Sequence, residues 1–485
     1  MPIEQRGVDT IPDGERTSGP RDLVSILLGS NLALGVVIFG WLPVSFGLGF
    51  WGSASSLAAG TLVGAVLTAP LALVSLRSAT NLSTSSGAHF GVRGRLLGSV
   101  IGLLLSLGYT ALTLWVGGDV VVGTLHRLIG LPTGGVSYAV VYAVLAGGTA
   151  VGAVYGYRVL LRLSKVLAIG LTVLLAVGVI AYAPTFGAAP VPGTAYALGG
   201  FWQTWLLSTV VAGLSGPIAF ITLLGDYSRY VSPRRHTSQK VFAATYLGLV
   251  VGLLVPQLFG TFSALAVGAG EDYASPLVAG APFWYLGLLL LNASSGSVGN
   301  AGLMLYSMGL DLDAIVPRAT RTQATYVVAA ISTALVYGGH FLWEAQDAMT
   351  SFVLLMTALC TPWAVIVVMG FIRCRGDYDA DALQVYNRGT RGGRYWYRAG
   401  WNVRATIAWV LGSAVGLMDV DTPLYQGPLL PYTGGIDVSF LLAAAVGGSV
   451  YALLTLGRPR PTPALRTVTS GTATTVPDAP VEVGR

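Results

Sequence analysis

Apolar stretches of about 20 residues, long enough to cross a bilayer as helices, recur from residue 23 almost to the C-terminus of this chain. No other feature narrows the fold so far, because a chain in lipid must satisfy its backbone internally and therefore spans as helices or as a closed barrel. The stretches fall at 23–46, 53–76, 97–125, 136–156, 160–183, 203–225, 241–268, 280–309, 324–343, 348–372, 403–418 and 436–456. The eleventh is short and interrupted by Gly412 and Gly416, so eleven spans is the alternative count. Charged residues make up 10% of the chain and hydrophobic ones 53%, against roughly 25% charged in a soluble domain. The expectation is an all-α polytopic membrane domain over 23–456 with about twelve helices. A polar leader, 1–22, precedes it, and a tail rich in Thr, Pro, Ala and Val, 457–485, is expected to be disordered.

The net charge of +6 is distributed by topology rather than gathered for nucleic acid. With the N-terminus in the cytoplasm, the cytoplasmic side receives the leader, Arg77, Arg93, Arg95, Arg158, Arg162, Lys165, Arg229, Arg234, Arg235, Lys240 and the arginine-rich loop 373–404, and Arg127 falls outside. The positive-inside rule then places both termini in the cytoplasm, as in a multi-pass protein of the cell membrane. The first 20 residues hold no apolar run of a signal peptide. Cys360 and Cys374 offer no disulfide framework. His89, His126, His236 and His340 stand at span edges or in loops without a partner cluster in the sequence. Neither an enzyme nor a cofactor is expected; the partners are membrane lipid and a small molecule, not nucleic acid, and the oligomeric state is left open, since a monomer can suffice.

Breaks in membrane helices are tolerated where the freed backbone lines a cavity or packs inside protein. The first span carries Gly35, Gly40 and Pro43 near its middle, and the sixth carries Gly213, Gly216 and Pro217. If spans 1–5 and 6–10 are two halves, each half begins with an interrupted helix, the mark of an inverted-repeat transporter with its site at mid-depth; close packing of small residues is the rival explanation. The eighth span gathers Asn292, Ser294, Ser295, Ser297 and Asn300, with Ser297 and Asn300 the better candidates to line a cavity. In the third span Tyr109 offers a stacking face, and Thr113 shares its side of the helix at i+4. Asp119 is an acid within a span, the kind of group that binds coupling ions. It lies about 15 Å beyond Tyr109 along the helix, where a water-exposed rim acid is an equal reading.

After the sixth span the chain turns to LLGDYSRYVSPRR. Asp226 and Arg229, three residues apart, can pair on a helix, either as an inner gate or as part of an ordinary positively charged membrane edge. Exposed, such a pair would contribute about 0–1 kcal/mol.

Five stretches together resemble the nucleobase:cation symporter-1 family, purine and cytosine permease branch. They are IEQRGVDTIPDGERTSGPRDL, HFGVRGRLLGS, SLGYTALTLWVGG, GDYSRYVSP and GNAGLMLYSMGLDLDAI, and the likeness covers roughly residues 3–456. The resemblance implies a LeuT-like fold of five-plus-five inverted repeats followed by two C-terminal helices. It also implies symport of a nucleobase or related heterocycle with Na⁺ or H⁺. It assigns substrate contacts to Tyr109, Thr113 and Asn300, to Ser215, Gly216 and Pro217 of the broken sixth helix, and to Ile38 of the first. Tyr109 stands where the family has Trp, Thr113 where Gln or Asn is frequent, and Met304 where a second Asn is expected. For the cation it suggests Gly35 with Ser295 and Ser297; the residues themselves offer Asp119 as a coupling acid and Asp226 and Arg229 as gating residues. The rival readings are a transporter of a ureide of the allantoin or hydantoin type, of a vitamin precursor or of an amino acid, and, further off, a channel or a sensor.

Overall fold

The structure is a computed structural model that describes residues 7–456 except 271, 317–319, 343–344 and 423; the tail 457–485 lies outside the described residues. Each expected span falls on helix. The first is α1 (Pro20–Asn31) and α2 (Leu34–Ser45), the second α3 (Phe50–Thr68) and α4 (Leu71–Ser78), followed by a short connecting helix α5 (Leu82–Phe90). Spans three to five are α6 (Leu96–Ile129), α7 (Gly135–Tyr155) and α8 (Tyr157–Tyr182). The sixth runs in pieces: α9 (Phe201–Ser208), a π-helical stretch over Thr209–Leu214, α10 (Ser215–Ile218) and α11 (Leu224–Ser228). Next come α12 (Ser238–Val267), a short α13 (Ala274–Gly280), α14 (Phe283–Ile315), α15 (Arg321–Leu342) and α16 (Ala345–Cys374). A loop with α17 (Ala380–Leu383) leads to α18 (Val403–Leu417), a two-stranded hairpin and α19 (Ser439–Thr455). Among the described residues seven helices are long and apolar enough to cross a membrane, or eight when α1 and α2 count as one span. Side chains such as Val166 (69% exposed) and Ile169 (72%) on α8 turn outward, as lipid-facing residues do.

The first span bends by 63° between α1 and α2, at Leu32 and Ala33 rather than at Gly35, Gly40 or Pro43 as the glycines and proline suggested. The side chains explain the position. Asn31 Nδ2 donates to Leu27 O at 2.8 Å, and Asn300 Nδ2 of α14 donates to Ser30 O at 2.6 Å, so two carbonyls at the end of α1 receive side-chain donors where the helix stops. Pro43 is carried inside α2. In the eleventh span, Gly412 and Gly416 do not interrupt the helix. They let α18 lie against α19, since a Cβ on Gly412 would stand 2.8 Å from Gly447 Cα and one on Gly416 2.9 Å from Ala443 Cβ.

Two crossings repeat the same chemistry in the two halves. A Cβ on Gly60 of the second span would meet Thr209 O at 2.2 Å and Gly213 Cα at 2.7 Å; one on Gly260 of the seventh would meet Val37 O at 1.9 Å and Gly40 Cα at 3.1 Å. The next residue in each case is threonine: Thr61 donates to Gly213 O at 3.2 Å and Thr261 to Gly40 O at 2.7 Å. Gly213 O needs that donor, because Pro217, four residues on, has no N–H to give it. The second span thus holds the broken sixth as the seventh holds the broken first, which is the relation an inverted repeat requires.

The leader is packed against one end of the bundle, the N-side face. Val8 and Ile11 are buried, Ile11 N donates to Ala79 O and Ser18 N to Tyr230 O, and Arg16 donates to Leu76 O at 2.5 Å and to Arg229 O at 3.0 Å.

Gly60→Ala and Gly260→Ala are each expected to cost about 1–3 kcal/mol, the range for overpacking a filled contact. The check is the thermal unfolding midpoint in detergent. Gly147→Ala, where a Cβ meets nothing within 4 Å, should leave that midpoint unchanged or slightly raised.

Candidate functional site

Where α1 and α2 part, the first, third, sixth, seventh and eighth spans enclose a small cavity. Asn31, Gly35, Phe39, Tyr109, Thr113, Gly216, Phe220, Gln257, Asn300 and Met304 are among its lining. Its volume of about 20 Å³ suits roughly one water molecule, so a planar ligand enters only when the surrounding helices move.

Hydrogen bonds join the walls across the elements. Tyr109, 7% exposed, donates its hydroxyl to Ser215 O at 3.1 Å. Its ring is tilted against Phe39 at 6.0 Å and meets Phe352 of α16 edge-on at 5.4 Å. Thr113 donates to Asn300 Oδ1 at 2.9 Å, while the Asn300 amide nitrogen reaches Ser30 O. Gln257 donates to Ala212 O at 3.0 Å, and its Oε1 lies 3.3 Å from the Thr61 hydroxyl. The third, sixth, seventh and eighth spans are therefore each bonded to backbone at a helix break or to a side chain that is. One group is left over: Asn31 Oδ1 is buried without a hydrogen-bond partner. A buried acceptor left unpaired costs about 1–3 kcal/mol, which a ligand N–H would recover.

Of the residues expected at a substrate site, Tyr109, Thr113, Asn300 and Gly216 line the cavity, and Gly35, expected at a cation site, does too. Gly35 allows close approach to the third span, since a Cβ there would lie 2.5 Å from Thr113 Oγ1. Ser215 contributes its carbonyl, and its hydroxyl turns back to Ala212 O. Pro217 faces away, against Gly64 of the second span. Ile38 is buried, and its neighbours Val36 and Phe39 line the cavity instead, because successive helical residues point about 100° apart. Met304 does stand at the cavity wall. Asn31 and Gln257 were missed, although each is an amide within an apolar span, the signal that singled out Asn300.

The cation candidates do not come together. The Ser295 hydroxyl returns to Leu291 O at 2.6 Å on a partly exposed part of the helix. Ser297 is buried against Gly117 of α6, with its hydroxyl unpartnered. Asn292 has both amide atoms buried and unpartnered and lies one turn before Gly296, where a Cβ would stand 3.2 Å from Ala33 and 3.7 Å from Asn292 Oδ1. Asp119 is remote from the cavity, at the far end of α6, where Tyr142 donates to it.

Asp226 and Arg229 lie at the N-side end, and neither is exposed: their exposures are 2% and 0%. The surface-pair estimate therefore does not apply. Arg229 donates to Gly7 O at 2.7 Å and to the Tyr306 hydroxyl at 3.0 Å, and its guanidinium lies over the Tyr230 ring at 5.1 Å. Tyr230 stacks on Tyr157 at 4.1 Å, and Ser18 is hydrogen-bonded to Tyr157 at 2.9 Å. The sixth span, the eighth span and the leader thus meet on one buried cation. On the connecting helix nearby, burial pushes His89 down to about 4, so it stands neutral beside Tyr378.

A larger cavity, about 310 Å³, lies between α6, α15 and α16. Its lining is aliphatic, methionine and aromatic, including Trp115, Met349 and Phe352, with no convergent polar groups to orient a heterocycle.

Comparison with known proteins agrees with this geometry. Residues 10–447 match the family described as permease for cytosine/purines, uracil, thiamine, allantoin. The putative purine-cytosine permease YxlA of Bacillus subtilis (strain 168) is 23% identical over 464 residues, covering 94% of this chain and 96% of that protein. The fold superposes on Mhp1, a nucleobase-cation-symport-1 family transporter, in a closed conformation with bromovinylhydantoin bound, with a TM-score of 0.71 at 18% identity over 92% of this chain and 94% of that one. The inward-facing conformation of Mhp1 gives 0.65 at 20% identity, covering 93% and 95%. A Na⁺-coupled sialic acid symporter in its outward-open state gives 0.59 at 13% identity, covering 93% and 92%. The chain is an all-α membrane transporter and not an enzyme, and it belongs to the nucleobase-cation-symport-1 family, in its branch of cytosine and purine permeases.

Proposed function

We propose that this protein imports a nucleobase of the cytosine or purine type by symport with a cation, through alternating access, in the cell membrane with both termini cytoplasmic. The observation that carries the substrate reading is the cavity at the break of the first span. There the Tyr109 ring supplies a stacking face and Asn31 Oδ1 an unpaired acceptor, the combination that takes a flat ring bearing an N–H. Met304 beside them favours an apolar edge on the ligand. Fewer free amides make for looser reading of the ring substituents, since discrimination comes from polar groups that a wrong ligand leaves unpaired.

Alternating access follows from how the site is held. The bonds of Tyr109 to Ser215 O and of Asn300 to Ser30 O run between helices that must separate for a ligand to enter. The buried assembly of Arg229, Tyr306 and the leader closes the N-side face, the cytoplasmic one in this reading. The coupling ion is Na⁺ or H⁺. For Na⁺, a hard cation that wants several oxygens, the carbonyls at the break and Asn292 Oδ1 are the groups at hand.

Uptake of labelled cytosine, uracil, hypoxanthine and allantoin into proteoliposomes, with sodium and proton gradients imposed separately, tests the reading. Concentrative uptake of a base under one gradient supports it; allantoin alone would move the substrate to a ureide, and no uptake of any of the four would refute nucleobase import. Asn31→Ala is expected to raise KM about 5- to 150-fold, the equivalent of one lost buried hydrogen bond. Tyr109→Ala is expected to abolish uptake, whereas Tyr109→Phe keeps the stacking face and should retain most of it. Arg229→Ala removes the cation on which the N-side closure meets and should increase proteolytic cleavage of the leader in the purified protein.

A further inference from the structure

We infer that Gln257 of the seventh span is a specificity-determining residue, and that its carbonyl oxygen and that of Asn31 together select a base carrying an exocyclic amino group over its oxo counterpart. This narrows the nucleobase reading and rests on it. Both amides line the cavity, and both are enclosed by protein: Asn31 is 1% exposed and Gln257 0%. Each gives its nitrogen to a backbone carbonyl at a helix break. Asn31 Nδ2 donates to Leu27 O at 2.8 Å, and Gln257 Nε2 donates to Ala212 O at 3.0 Å. Turning either amide over would set carbonyl against carbonyl, so the hydrogen-bond network fixes which atom is the oxygen. The first and seventh spans thereby each present an acceptor.

Neither oxygen has a donor of its own. Asn31 Oδ1 is unpartnered. Gln257 Oε1 lies 3.3 Å from the Thr61 hydroxyl, but Gly213 O lies 3.2 Å from the same hydroxyl, which has one hydrogen for the two. When a ligand N–H takes Gln257 Oε1, Thr61 gives its hydrogen wholly to Gly213 O, and every group ends paired. Asn300 offers no such opening, because its oxygen accepts from Thr113 and its nitrogen reaches Ser30 O. Packing sets the place of Gln257: a Cβ on Gly40 of the first span would overlap Gln257 O, and one on Gly216, in the cavity wall, would stand 3.4 Å from Gln257 Nε2. A Cβ on Gly252 of the same helix would lie 3.5 Å from Asn31 Nδ2, so α12 runs past Asn31 as it brings Gln257 to the cavity.

Two acceptors call for two hydrogens. An exocyclic amino group carries both on one nitrogen and, like an amide nitrogen, acts as donor only. Its oxo counterpart places a carbonyl oxygen at the same ring position, acceptor against acceptor, and leaves the buried amide oxygens unpaired. The ring N–H groups of uracil do not escape this, since each has a carbonyl beside it. A polar site rejects a wrong ligand most strongly when its own buried groups lose their partners. The Tyr109 ring stacks on either base alike, so the preference belongs to the amides.

The test uses pairs that differ by this one exchange, cytosine with uracil and adenine with hypoxanthine. In proteoliposomes, kcat/KM is measured for each base under the gradient that drives uptake. In the pair transported, the amino member is expected to exceed its oxo partner by about 5- to 150-fold, the equivalent of one buried acceptor left unpaired. Gln257→Met keeps the length of the side chain and removes the acceptor; it should lower that ratio about five-fold or more, through KM of the amino base. Asn31→Ala should lower it as well. Thr61→Val removes the donor to Gly213 O and leaves both carbonyls, so uptake of the two members should fall together and the ratio should hold. A wild-type protein that does not prefer the amino members overturns the inference and leaves import of a base standing. So does a ratio unmoved by Gln257→Met while both rates fall, which would make Gln257 a prop for the broken sixth helix. Absence of uptake of all four bases counts against the import reading instead. Dissociation constants of the four for the detergent-purified wild-type and Gln257→Met proteins then decide by the same ratio, and absence of binding by all four overturns the inference too.

Discussion

A broken helix in lipid leaves carbonyls that water cannot reach, and the architecture of this protein is organised around supplying their donors. At the first span they come from Asn31 and Asn300; at the sixth, Thr61 and Gln257 reach Gly213 O and Ala212 O. Thr61 and Gln257 sit on helices brought within contact by Gly60 and Gly260, crossings that admit no Cβ. The breaks therefore persist because neighbouring spans complete them, and the neighbours sit where they do because the breaks must be completed.

The small cavity is the by-product of the same arrangement. Thr113, Gln257 and Asn300 point toward the cavity because the carbonyls or amides they serve lie there. This explains why the cavity wall is polar and yet offers a ligand little: most of its donors and acceptors are already engaged, and Asn31 Oδ1 stands out as unpaired. It also gives a physical link between binding and motion. A ligand that competes for the Tyr109 hydroxyl or the Asn300 amide loosens the walls that hold the two broken helices, so occupation of the site and separation of the spans draw on the same bonds.

The two ends of the bundle are built differently. On the N-side face a buried arginine meets a backbone carbonyl, tyrosine hydroxyls and the charge of Asp226. At the far face a carboxylate and an imidazole share a tyrosine and keep partial access to water.

Much of this was legible in the sequence. The spacing of apolar runs located the helices, glycine and proline near the middles of the first and sixth marked the two broken helices, and polar residues inside apolar spans marked Tyr109, Thr113 and Asn300, which line the cavity. These are local signals, carried by the cost of placing polar or non-helical chain in lipid. What the tertiary structure alone decided are the pairings. Gly35 and Pro43 suggested a break that is set instead by the amides of Asn31 and Asn300. Gly412 and Gly416 read as an interruption and proved to be a packing face. Asp226 and Arg229, read as an inner gate or an ordinary membrane edge, are both buried, and the leader reaches Arg229. His340, at a span edge in the sequence, meets Asp119 and Tyr142 on two other helices. A residue's type records what it needs, a donor, an acceptor, space or a counter-charge; which residue meets that need depends on contacts between segments 20 to 270 positions apart, and only the folded chain brings those together.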